Sequence, residues 1–278
     1  MEKNKDIKIS VRNLVEFVLR AGDLDMRFRG SSRAVEGTKA HQKIQKENRE
    51  KYSIIFGQEY KAEVSLKHCI PYNGGTIVID GRADGILIEN KVVTIDEIKT
   101  VTRDLELIDE DYNGLHWAQA KCYAYIYGVQ NDLESVNVQL TYYEINTEKI
   151  KRYIKSFTIA QLQEFFDGII SSYFIWANIT RLWNQERDNS IKDLKFPFLD
   201  YRAGQRELAV SIYKTVVEGK KIFLQAPTGI GKTISTLFPT VKAMGEGHTS
   251  KIFYLTAKTI TRQVAEEAFV KMKDNGLK

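Results

Sequence analysis

The sequence predicts an α/β chain of two domains, and three observations predict it. Residues 60–101 carry three runs rich in Ile and Val, punctuated by Asn73-Gly74-Gly75 and Glu89-Asn90, which read as a three-stranded meander. Beyond residue 203, helical periodicity alternates with the short apolar runs Lys221-Ile-Phe-Leu-Gln and Lys251-Ile-Phe-Tyr-Leu-Thr, the pattern of a parallel sheet with helical crossovers. Between these regions the stretch Asn189 to Tyr201 breaks the period and contains Pro197, which marks a linker.

Taken in order, Val11, Leu14, Val15, Val18 and Leu19 fall at helical spacing behind a Ser10 cap, so a first amphipathic helix is expected to end near Ala21-Gly22. A polar helix follows at 35–51, then strands near 60–70, 76–88 and 91–101. A helix is expected at about 113–128, two strands near 136–145 and 149–157, and a long helix from a Thr158 cap to about Asp188. After the linker, a helix at 203–218 precedes the strand at 221, a helix starts at Lys232, and a last helix starts near Thr259.

Composition narrows the class. A content of 43% hydrophobic and 28% charged residues over 278 positions suits a globular chain longer than one typical domain. Cys69 and Cys122 are the only cysteines, too few for a disulfide framework or a four-thiolate cluster, and they fit a reducing cytoplasm. The start MEKNKDIKIS has no apolar signal core, and no apolar run approaches the ~20 residues that span a bilayer, so no membrane partner is expected. Residues 189–278 hold 15 Lys and Arg against 8 Asp and Glu, a basic bias that suits a polyanionic ligand.

Ala226-Pro-Thr-Gly-Ile-Gly-Lys-Thr follows an apolar run and opens a helix, the context of a phosphate-binding loop. Glycines let backbone N–H groups face phosphates, Lys232 reaches the β- and γ-phosphate oxygens, and the Thr233 hydroxyl can ligate Mg²⁺. Ala226, Pro227, Thr228, Gly229, Ile230, Gly231, Lys232 and Thr233 are therefore the ATP-binding candidates, with Ala226 standing where the standard pattern has its first Gly. Upstream, Tyr201-Arg-Ala-Gly-Gln-Arg-Glu-Leu resembles the adenine-sensing segment of superfamily 2 helicases, with Gln205 in place of the adenine-reading Gln. Downstream, Ile252-Phe-Tyr-Leu-Thr-Ala-Lys-Thr-Ile-Thr-Arg-Gln resembles the segment that grips single-stranded DNA in that family, and the order and spacing are similar to the DinG and XPD branch. The resemblance implies ATP as cofactor and makes Thr256, Lys258 and Arg262 candidates for DNA backbone contacts; helix capping and solvation are the plainer alternative. It also leads one to expect the remainder of the motor beyond Lys278, since no acidic Asp-Glu box or arginine finger occurs in 201–278.

A second constellation precedes the linker. Asp84, in Gly81-Arg-Ala-Asp-Gly, lies near the middle of one expected strand, and Asp96-Glu-Ile-Lys lies on the next. Residues i and i+2 share a strand face, so Glu97 and Lys99 point one way and an antiparallel partner can bring Asp84 beside them. Two carboxylates held together call for a cation, and a divalent metal with hard oxygen ligands supplies it. A slip of one residue would substitute Asp80 or Asp96, because it reverses the face. With His41 on the helix before the meander and Gln119 and Tyr123 four apart on the helix after it, residues 10–185 resemble the RecB-like branch of the PD-(D/E)XK nucleases. The resemblance implies a restriction-endonuclease-like α/β/α core that hydrolyses DNA with Mg²⁺ or Mn²⁺. It implies metal ligation by His41, Asp84, Glu97 and the Ile98 carbonyl, support of the nucleophilic water by Lys99, and a DNA channel lined by Gln119 and Tyr123. Relatives that carry cysteines for an iron–sulfur cluster differ here, as two cysteines cannot hold one.

His68, His116 and His248 read as surface or satisfied histidines, and Trp117, Trp176 and Trp183 as packing residues. The sequence reading is thus a nuclease-like domain at 1–188, a linker at 189–200, and at 201–278 the N-terminal part of a RecA-like helicase ATP-binding domain. Single-stranded DNA is the expected partner, and DNA repair or processing the expected setting. An inactive DNA-binding clamp is the alternative for the first domain, and a nucleotide-dependent switch without nucleic acid is the alternative from another class.

Overall fold

The computed structural model describes residues 6–21, 32–72, 75–227, 229–257 and 259–278. Thr228 and Lys258, both candidate site residues, lie outside the described residues, as does the Asn73-Gly74 turn. The chain divides into two compact units, Met1–Ala177 and Asn178–Lys278. That division falls within a helix and precedes the expected linker, whose first residues are still helical.

The first unit is built on a mixed six-stranded sheet. A strand absent from the sequence reading, β1 (Ile7–Ser10), runs straight into α1 (Val11–Leu19), where the Ser10 hydroxyl caps the helix by accepting the Asn13 N–H. Then come α2 (Ser32–Ser53), the meander β2 (Gln58–Tyr72), β3 (Gly75–Glu89) and β4 (Val92–Val101), and α3 (Gly114–Gln130). The hairpin β5 (Ser135–Glu144) and β6 (Ile150–Thr158) leads into α4 (Ile159–Asp193). Strand order is β1-β3-β4-β5-β6, with β2 on the other edge of β3.

One consequence of this order governs the site. β2 pairs antiparallel with β3 along nearly its whole length, so β1 and β4 must share the opposite edge. β1 takes Ile77 to Asp80 in parallel and β4 takes Gly85 to Glu89 antiparallel, which leaves Gly81 to Asp84 between the two ladders. β4 then continues beside β5 in parallel, with Glu97 opposite Leu140 and Lys99 opposite Tyr142. Helices cover both faces of β4. Ile95 belongs to the main core with Trp117, Ala120 and Tyr123 of α3, whereas Ile98 packs with Ala40 and Ile44 of α2. Alternation along a strand therefore sends Glu97 and Lys99 to the α3 side and Asp96 to the α2 side.

In the second unit α5 (Gln205–Val217), α6 (Lys232–Gly245) and α7 (Thr259–Asp274) follow the last turns of α4. Ile191 and Leu194 pack with Ile234, Leu237, Val241, Ala265, Ala268 and Met272. Lys242 donates to the Ile191 and Lys192 carbonyls at 2.9 Å, satisfying acceptors that the end of α4 leaves open.

The strands expected at 221–225 and 251–256 do not form, so the parallel pairs lie in the first unit, not here. Phe223 is 98% exposed and Leu255 89%, and neither segment has a ladder partner among the described residues. The apolar run marked a segment suited to burial on both faces; a strand also requires a neighbour for its N–H and C=O groups. Among the tryptophans, Trp117 is core, while Trp176 and Trp183 are about half exposed, so the packing reading fails for Trp183 and is partial for Trp176, which contacts Phe17.

Candidate functional site

The first site gathers on the unpaired edge of β3. Asp84 reaches across to β4, where its Oδ2 accepts the Ile98 N–H at 2.8 Å, and its Oδ1 lies 3.5 Å from His41 Nδ1 on α2. Glu97 is 1% exposed, and its Oε1 accepts from Lys99 Nζ at 2.5 Å. Its other oxygen, Oε2, is buried without a hydrogen-bond partner. Burial raises the Glu97 pKa and the Lys99 ammonium opposes that, with Asp84 adding repulsion.

α3 brings two more of the expected residues. Lys99 Nζ is 3.4 Å from Gln119 Oε1, and the Tyr123 pKa is raised by burial and by the nearby Glu97 carboxylate. Tyr123 lies so close to Gly81 that an added Cβ would come within 2.8 Å of its ring, so glycine there admits the tyrosine. His41, Asp84, Glu97, Lys99, Gln119 and Tyr123 thus share one neighbourhood. Among the described residues, however, no three His, Cys, Asp or Glu side chains stand close enough together to hold a metal ion. Asp84 is engaged by His41 and Ile98, and Glu97 by Lys99.

The one-residue alternatives fall elsewhere. Asp96 is buried on the opposite face, bonded to Thr141 Oγ1 at 2.5 Å and Gln139 Nε2 at 3.0 Å. Asp80 is exposed in the ladder with β1, opposite Ser10. His116 is satisfied between Tyr142 and Asn113, and its pKa is lowered to about 3 by burial and then by Lys99.

Sequence reasoning missed Gln45, whose Nε2 donates to the Asp84 carbonyl at 2.9 Å. The signal was available, because Gln45 is four residues after His41 and so shares its helix face.

The second unit positions the phosphate-loop candidates. Gly229 and Gly231 take left-handed backbone with φ 88° and 80°, and Gly231 caps the start of α6, whose first N–H groups lack helical acceptors. Lys232 Nζ donates to the Ala226 and Pro227 carbonyls at 3.0 and 2.9 Å, folded back across the loop. Thr233 follows in the first turn of the helix, partly exposed. Gln205 is 3% exposed and sits against the loop: a Cβ on Gly231 would come within 2.5 Å of its Nε2. Ile230 packs against Gly204. Arg202, not singled out from sequence, donates its N–H to Gln205 Oε1 at 2.9 Å and its guanidinium to the Gly229 carbonyl. Thr256 is exposed in an irregular segment, and Arg262 is paired with Glu266 at 2.7 Å.

Residues 204–278 match the family model of the DEAD/DEAH box helicases. The match supports a helicase-like, nucleotide-binding reading of this segment. No curated protein matches the chain. One solved structure, titled "Crystal structure of SSO0001", overlaps 60% of this chain and 77% of its own, at 19% identity and a TM-score of 0.39. Among the described residues no helix is long and apolar enough to cross a membrane.

Proposed function

We propose that the first unit is a metal-dependent nuclease acting on single-stranded DNA, attached to a helicase motor of the DinG and XPD type. The observation that carries the reading is Glu97 Oε2, a buried carboxylate oxygen without a partner, beside Asp84 and Lys99. An unpartnered buried carboxylate is unfavourable unless a cation compensates it. Hard oxygen donors with one imidazole fit Mg²⁺ or Mn²⁺.

His41, Asp84, Glu97 and the Ile98 carbonyl would hold that ion. When bound, it polarises a phosphodiester oxygen and lowers the pKa of a water. Lys99, oriented by Glu97 and Gln119, would hold the attacking water, and Gln119 and Tyr123 would line the path of the strand. In the second unit the loop from Ala226 to Thr233 would hold the nucleotide phosphates, with Gln205 beside it for the adenine. Thr256, Lys258 and Arg262 would contact the DNA backbone. DNA repair or processing is the setting that such a pairing of activities suits.

The test is degradation of single-stranded DNA by the purified chain with Mn²⁺ or Mg²⁺ and no ATP. Loss of cleavage in Asp84→Ala and Lys99→Ala supports the reading. Parent-like cleavage in both overturns the site. The closed Lys99–Glu97 pair and the lack, among the described residues, of three assembled ligands favour a second reading, an inactive clamp that binds DNA without cutting it. Binding without metal-dependent cleavage is the result that selects it.

A further inference from the structure

We propose that Glu63 is a positioning residue for Asp84, held in a left-handed backbone conformation so that its carboxylate orients Gln45 and Arg82 at the site; the inference rests on the nuclease reading above. Glu63 has φ 57°, inside a strand and with a side chain that makes this conformation unfavourable. Its neighbours keep the antiparallel register, Ala62 with Gly85 and Val64 with Ala83, so Glu63 stands across from Asp84. Such a residue persists where its surroundings hold it, and here two side chains do, Gln45 and Arg82.

Gln45, 6% exposed, donates through one nitrogen to both Glu63 Oε1 at 2.8 Å and the Asp84 carbonyl at 2.9 Å. An amide nitrogen has two hydrogens, so both are committed. Arg82 closes on the other oxygen of Glu63. Asp84 is thereby fixed twice: its carbonyl to α2 through Gln45, and its carboxylate to His41 and the Ile98 N–H. Glu63 decides which way the Gln45 amide faces. Reversed, that amide would turn its own oxygen toward the Asp84 carbonyl, two acceptors in contact. The second effect is on charge. Arg82 lies two residues before Asp84 on β3, its side chain about two-thirds exposed, and Glu63 keeps it at the mouth of the site, where a phosphodiester backbone would lie.

The experiment uses the full chain and three variants, Glu63→Gly, Glu63→Gln and Gln45→Met, with thermal melting, Mn²⁺ binding by calorimetry, and kcat and KM on a single-stranded oligonucleotide. Glycine takes the left-handed conformation freely, so Glu63→Gly is expected to melt at or above the parent temperature. Its Mn²⁺ affinity and kcat are expected to fall about tenfold or more, while KM for DNA stays within about threefold. Glu63→Gln keeps an acceptor for Gln45 but not the charge that holds Arg82, and is expected to keep Mn²⁺ affinity and kcat within about threefold of the parent. Parent-like Mn²⁺ affinity and kcat in Glu63→Gly, alongside an inactive Asp84→Ala, overturn the positioning role and leave the nuclease standing. Should Glu63→Gly melt far below the parent, Gln45→Met decides: the same losses support the role, parent-like values overturn it. A parent chain that neither binds Mn²⁺ nor cleaves removes the nuclease reading and the inference with it.

Discussion

Asp84 and Ile98 are joined across the unpaired edge of β3, the Asp84 Oδ2 accepting the Ile98 N–H at 2.8 Å. The aspartate therefore has a structural duty beside its proposed chemical one, and two substitutions separate them. Asp84→Asn keeps an acceptor for that N–H and is expected to melt near the parent temperature while losing cleavage by about a hundredfold or more. Asp84→Ala loses the acceptor as well, which costs about 1–3 kcal/mol of stability. Denaturant unfolding together with oligonucleotide digestion in Mn²⁺ checks both; undiminished cleavage by Asp84→Asn would remove Asp84 from the chemistry.

Lys232, the proposed cation of the phosphate loop, rests on the Ala226 and Pro227 carbonyls. Replacing it by Ala is expected to weaken a fluorescent ATP analogue by about tenfold or more, each ~1.4 kcal/mol of lost binding being one factor of ten. Equal affinity in the parent and Lys232→Ala would show that the loop is not the binding site. Turnover by the parent is expected to be negligible, because residues 201–278 contain no Asp-Glu pair to ligate the metal and activate water. Strong DNA-stimulated ATP hydrolysis would contradict that.

Gly231→Ala tests the contact between the loop and Gln205, the residue proposed to read the adenine. The substitution meets two obstacles, a φ of 80° and the Gln205 Nε2 at 2.5 Å from the new Cβ. Gln205 is buried, so it cannot swing into solvent. The variant is expected to lose about 1–3 kcal/mol of stability and its preference for ATP over other nucleoside triphosphates. A parent-like preference in a folded variant would dissociate Gln205 from base recognition.

His116 supplies a pH dependence whose sign is fixed. Its folded pKa, lowered to about 3, lies below the ordinary 6.5, so in the window between them the unfolded chain binds the proton and the folded chain does not. Stability from this group is fully present above pH 6.5 and is lost as pH falls toward 3, by at most about 2 kcal/mol at pH 5. Comparing the parent with His116→Gln by urea unfolding at pH 7 and pH 5 isolates it. The glutamine variant should lose less stability on acidification, and an identical loss in both would assign the effect to other groups, among them His68, whose pKa burial also lowers.

Local pattern made most of the first unit legible. Ser10 caps α1 as the spacing required, and the alternation Asp96, Glu97, Ile98, Lys99 gave the face on which Glu97 and Lys99 meet. The β3–β4 register, with Gly85 opposite Asp96, puts Asp84 level with Glu97, which is what the strand argument needed. β1 was not legible, because the alternation Ile7-Lys-Ile-Ser is only four residues long and runs straight into a helix, and it is the edge of β3 that makes it a strand. Glu63 was equally invisible, since a backbone dihedral leaves no mark in a residue name. In the second unit the loop and the helix starts could be read from Gly, Lys and Thr in sequence. The strands could not, because hydrophobic residues state a preference for burial and only a neighbouring chain segment can satisfy it.

The open segments at 221–225 and 251–256 bear on how this chain behaves at high concentration. Phe223, Phe253 and Leu255 lie exposed on irregular segments whose N–H and C=O groups have no ladder partner among the described residues. Apolar extended segments with open edges are templates for pairing between molecules. Self-association of the purified chain should therefore begin in the second unit and grow with protein concentration. A charged residue at Phe253 should suppress it while leaving the Asp84–Glu97 neighbourhood intact, making the variant the practical form in which to study cleavage.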